Sequence, residues 1–116
     1  EKELSALYAR ELTKELERIL PDQERRMGVK VDRITLKEMT SRWGSCQPQT
    51  RRISLNLRLA RLPREYTAYV LLHEMCHLLH ADHSAAFYEE LTKVCPNAMA
   101  LREKIKSEPL APLPPA

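Results

Sequence analysis

Apolar residues recur at three- and four-residue steps near the start of the chain: Leu4, Leu7, Tyr8, Leu12, Leu16, Ile19 and Leu20. That period predicts an amphipathic helix over 2–20, packed on a core by one face and stopped by Pro21. Residues 21–28 are polar, end in Gly28 and read as a connection. Val29 to Met39 is rich in β-branched and aliphatic residues, with Ile34 and Leu36 on one face. Ile53, Leu55, Leu57 and Leu59 alternate with Ser54, Asn56, Arg58 and Ala60, the period of a strand with one wet face. Between these runs, Arg42 to Thr50 holds Gly44 and Pro48, which is turn chemistry, so the pair reads as a short antiparallel meander. Pro63 suits the first turn of a helix, where its missing N–H costs nothing, and that helix extends through His73 and His77 to about His80. Ser84 is an N-cap for a helix over Ala85 to Val94, and Asn97 opens a last helix to about Lys106. The elements make an α+β domain over 1–108, followed by an uncharged, Pro-rich extended tail at 109–116.

A chain of 116 residues supports one domain with one modest core. No apolar run approaches the ~20 residues that cross a bilayer and no signal-peptide h-region opens the chain, so a membrane partner is not expected. Three cysteines without CxxC spacing argue against a disulfide framework and for a reducing compartment, which predicts a cytoplasmic location. Glu1 stands where an initiator Met would, which reads as a trimmed core of something longer. The two glycines, Gly28 and Gly44, exclude Gly-rich phosphate loops. A net charge of +3 permits an anionic partner without requiring one. Arg51, Arg52, Arg58, Arg61 and Arg64 could line a basic strip, although a solvated face accounts for them, and nucleic acid stays a weakly supported partner.

The chemistry concentrates in His73-Glu74-Met75-Cys76-His77, an HExxH run inside the second predicted helix. At ~100° per residue the two imidazoles lie ~40° and about 6 Å apart, so they can share one ion. Glu74 lies ~100° round the helix, poorly placed as a ligand but able to act as a base on water. A catalytic zinc takes three protein ligands, and His83 supplies a third after the break at Ala81-Asp82. Glu89 and Glu90 on the next helix are its rivals; His83 is closer in the chain and softer. From this chain's His and Glu content, HExxH with that further His arises by chance in about one such sequence in 2,000. His80 lies too far along the axis to join His73 and His77 on one ion, and reads as a substrate contact, a support behind the ligands or an exposed last-turn residue. Tyr66 and Tyr88 are candidates for stabilising an oxyanion, against the plainer reading of core aromatics with their hydroxyls at a rim. Cys76 reads as a small buried hydrophobe.

The segments Arg42-Trp43-Gly44-Ser45-Cys46, Ile53-Ser54-Leu55-Asn56, His73 to His77, and His83-Ser84 with Phe87 together resemble the YgjP-like metallopeptidase domain, related to SprT-like and other small HExxH peptidases. The resemblance covers about Ile34 to Tyr88 and implies a small zincin-like fold. It also implies one zinc ion per chain on His73, His77 and His83, with Glu74 as the catalytic carboxylate. Asp82 and Tyr88 depart from the family's usual Asn and Trp. Family members carry more sequence ahead of the first helix, so this chain resembles the catalytic core. Arg42 and Trp43 are candidates for edging the sheet beside the metal and meeting an extended peptide; Trp43 also reads as a core plug.

Three functions fit these residues. The first is a zinc endopeptidase acting on a peptide or protein substrate, with Glu74 as general base. The second is a metal-dependent endoribonuclease of the family resembling YbeY, which shares the three-His spacing and ends in Asp-His as Asp82-His83 does, but has Gly in place of Glu74. The third is a zinc-stabilised binding module in which Glu74 is idle.

Overall fold

In a computed structural model that describes residues 2–110, the first helix, α1 (Lys2–Met27), runs past Pro21. This corrects the stop expected there. Pro21 removes one N–H and orphans the Glu17 carbonyl, but both residues lie on the exposed side of α1, where water can meet that carbonyl. Leu16, Leu20, Val31 and Ile34 meet along one groove, and buried Met27 anchors the last turn. The helix ends at Gly28, whose φ of 69° sends its own N–H and that of Val29 back to the Glu24 carbonyl at 2.9 and 3.2 Å.

The sheet has three strands, β1 (Arg33–Lys37), β2 (Gly44–Gln47) and β3 (Arg52–Asn56), in the order β1-β3-β2. It is mixed, which corrects the antiparallel meander. β1 pairs with β3 in parallel, Ile34 opposite Ile53 and Leu36 opposite Leu55. β2 pairs with β3 antiparallel, Gly44 opposite Leu55 and Cys46 opposite Ile53. Gly44 and Pro48 do mark turn chemistry, but they bracket a strand. The hairpin loop places Arg51 at φ 55°, a left-handed conformation that costs an L-residue about 1–2 kcal/mol. Arg51→Gly should therefore raise the urea midpoint, corresponding to a gain in unfolding free energy of up to about 1 kcal/mol after glycine's own unfolded-state entropy is counted. An unchanged or lower midpoint counts against strain at that residue.

The alternation after Ile53 stops at Asn56. Its Oδ1 accepts the Arg58 N–H at 3.0 Å and turns the chain into a 3₁₀ segment, Leu57–Arg61. That turn rotates Arg58 inward to 2% exposure, where its guanidinium donates to the Met39 carbonyl at 2.8 Å and pairs with Glu38 at 3.3 Å. Arg58 therefore drops out of the expected basic strip, while Arg52 pairs with Asp32 at 3.2 Å and Arg64 lies 4.0 Å from Glu15, both on the solvated face.

The second helix, α2 (Arg64–Cys76), is buried on most sides, Leu71, Met75 and Cys76 being wholly enclosed. It stops one turn before His80. α3 (Ala85–Val94) begins at Ser84, whose Oγ accepts the Phe87 N–H at 3.3 Å. α4 (Ala98–Ile105) packs Ala98, Leu101 and Ile105 inward. Among the described residues no helix is long and apolar enough to cross a membrane. The extended tail expected at 109–116 falls outside the described residues apart from Pro109 and Leu110, which lie in no helix or strand.

Candidate metal centre and active site

His73 in the last turn of α2 and His77 at its C-cap lie one turn apart, both half-buried, and the chain then tightens. The N–H groups of Leu78, Leu79 and His80 bond the carbonyls of Met75 and Cys76 at 2.9–3.0 Å, so the helix closes in a turn instead of continuing. That reversal brings His83 back over α2, immediately ahead of the Ser84 cap. Ring centroids lie 5.3 Å apart for His73 and His77, 5.1 Å for His73 and His83, and 4.8 Å for His77 and His83. One nitrogen from each ring falls within 4.8 Å of the other two. Phe87, wholly buried, sets its ring 4.8–5.0 Å from all three imidazoles and forms the floor against which they are arranged.

Three neutral imidazoles are a donor set suited to a borderline-soft divalent ion such as zinc, and two observations support the fit. His77 Nδ1 lies 3.2 Å from the His80 carbonyl, a contact that holds the Nδ1 proton and leaves Nε2 free to ligate. His83 is exposed at its outer face, but desolvation on its inner side, with His73 and His77 close by, lowers its pKa and favours its neutral form. Glu90 pairs instead with Lys93 at 3.9 Å, and neither it nor Glu89 joins the three-histidine group. Burial pushes the Cys46 thiol up to about 11, aided by the nearby Glu74 charge, and the Cys76 thiol up to about 12, so neither offers a thiolate at neutral pH.

Glu74 is 6% exposed and its Oε2 lies 3.4 Å from His73 Nδ1. It has room because β2 crosses α2 at Gly44. A Cβ there would meet Val70 Cγ1 at 2.8 Å and Glu74 Cγ and Oε2 at 3.1 Å. Arg42, Trp43, Tyr69, Ile105, His73 and Glu74 line a cavity of about 220 Å³ beside the histidines.

The other sequence candidates are distributed as follows. Arg42 and Trp43 border the cavity, and Trp43 is also packed against the core. Tyr66 is buried in the core and does not line the cavity; Tyr69, one turn before His73 with ring centroids 6.0 Å apart, does. That i, i+4 spacing was readable in the sequence. Burial pushes the Tyr69 phenol up to about 12, so it stays protonated. Tyr88 stacks on His83 at 6.2 Å with the Arg102 guanidinium 5.7 Å from its ring. His80 contributes its carbonyl to His77.

The family model described as YgjP-like, metallopeptidase domain, matches residues 1–108. Among solved structures, the chain is similar to the crystal structure of the metallopeptidase zymogen of Pyrococcus abyssi abylysin, at 22% identity and a TM-score of 0.71. The match covers 80% of this chain and 93% of that one, and at this identity it shows a shared fold. No curated protein matches the chain.

Proposed function

This chain belongs to the YgjP-like metallopeptidase family, and on that premise we propose that it is a zinc-dependent endopeptidase with Glu74 as its general base. The observation that carries the reading is the convergence of His73, His77 and His83, with ring nitrogens within 4.8 Å, beside a nearly buried carboxylate. The three imidazoles would hold one zinc ion, which when bound supplies Lewis acidity for water activation and carbonyl polarisation. Glu74 takes the proton of the attacking water on its carboxylate and returns it to the leaving amine nitrogen. The His80 carbonyl keeps the His77 ring in its ligating tautomer. β2 is an edge strand, and its outer side offers backbone groups to an extended peptide next to Glu74. Burial of Glu74 against Gly44 supports this reading over one in which that residue is idle.

Chelation tests it. Stripping metal from the purified protein should abolish hydrolysis of a peptide library, and one equivalent of zinc should restore it. Peptide cleavage that survives chelation, or metal-dependent cleavage of RNA with none of peptides, would replace the proposal.

A further inference from the structure

We infer that the cavity beside Glu74 is a specificity pocket for one apolar side chain of the substrate, with Arg42 at its mouth selecting against a basic neighbour. The inference rests on the peptidase reading and deepens it. At about 220 Å³ the cavity is below the ~300 Å³ at which small-molecule pockets begin, so it suits a single side chain. A larger hollow of about 660 Å³ near the end of α1 shares none of its lining, so size alone does not mark the site. Trp43, Tyr69, Val70 and Ile105 supply predominantly apolar walls. His73 and Glu74 form one flank, which places an inserted side chain on a residue adjoining the bond that Glu74 serves.

The wall made by Arg42 and Trp43 is held in place before substrate arrives. Asn56, wholly buried, donates from Nδ2 to the carbonyls of Met39 at 2.9 Å and Arg42 at 3.0 Å, and its backbone N–H bonds the Trp43 carbonyl at 2.9 Å. Arg58 adds its bond to the Met39 carbonyl. These bonds fix the backbone that carries both side chains, so the pocket need not form on binding. Arg42 itself is exposed, and its charge repels a lysine or arginine brought to the mouth.

Trp43 is the chain's single tryptophan and walls the pocket, so its emission reports occupancy without turnover. The zinc-loaded Glu74→Gln protein is titrated with capped Ala-Ser hexapeptides carrying Leu, Phe, Ala or Lys at one central position, and with the Leu peptide carrying Lys beside it. Leu or Phe should shift the emission and bind about tenfold or more tighter than Ala. Ile105→Phe should shrink that preference several-fold, and Arg42→Glu, at an exposed position, should convert the penalty for Lys beside the apolar residue into a gain. Equal binding of Leu, Ala and Lys peptides overturns the pocket, as does a preference that both variants leave unchanged. Should Ile105→Phe fail to fold by its thermal melt, an unaltered Lys penalty in Arg42→Glu overturns the proposal alone. Wild-type hydrolysis without residue preference removes the pocket and leaves the peptidase; selective binding without wild-type hydrolysis removes the peptidase and leaves the pocket.

Discussion

Replacing Glu74 with Gln should lower peptide hydrolysis by about 10²- to 10⁴-fold while zinc content stays at one per chain. Gln keeps the volume that fits between Gly44 and His73, and it keeps a carbonyl oxygen near His73 Nδ1, where Oε2 now sits at 3.4 Å. It cannot accept the proton that the attacking water must lose. Turnover and metal content, measured on the same preparation, separate this loss from a failure of the metal site. Hydrolysis equal to wild type would remove Glu74 from the mechanism, and loss of zinc would assign it a structural role.

Gly44→Ala should damage stability and catalysis together. The new Cβ would lie 2.8 Å from Val70 Cγ1 and 3.1 Å from two atoms of Glu74. β2 cannot simply retreat, because Gly44 is in register with Leu55 and Cys46 with Ile53. Val70 is buried, so relief must come from moving β2 or turning Glu74 aside. Overpacking of this kind costs about 1–3 kcal/mol. A carboxylate displaced by about 1 Å loses on the order of 10²-fold in rate. A thermal melt and kcat determined together test it; a variant as stable and as active as wild type would mean that β2 and α2 are not in close contact here.

The helices and the three histidines were legible because each rests on a local rule. Ser84 caps α3 three residues before Phe87, and the i, i+4 spacing of His73 and His77 needs only one helical turn. What was not legible depended on distant partners. Gly44 looks like a turn residue until α2 is seen against it, so β2 was hidden inside a predicted loop. Parallel pairing of β1 with β3 leaves no local trace, since the same Ile34 and Leu36 would serve an antiparallel neighbour. Arg58 occupied a polar slot in a period-two pattern that Asn56 had already ended by capping a 3₁₀ turn. Pro21 misled in the opposite direction, because a helix tolerates it where the orphaned carbonyl faces solvent. Arg42 and Trp43 were legible beside the metal, but the opposite wall of the cavity was not, since α4 brings Ile105 to it from far along the chain.

A crystal structure of the zinc-loaded chain tests the central claim most directly. The account predicts one ion held roughly 2.0–2.1 Å from a nitrogen of each of His73, His77 and His83, with Glu74 beside it but not coordinating. An ion bound elsewhere, or one that takes Glu89 or Glu90 in place of His83, would contradict it.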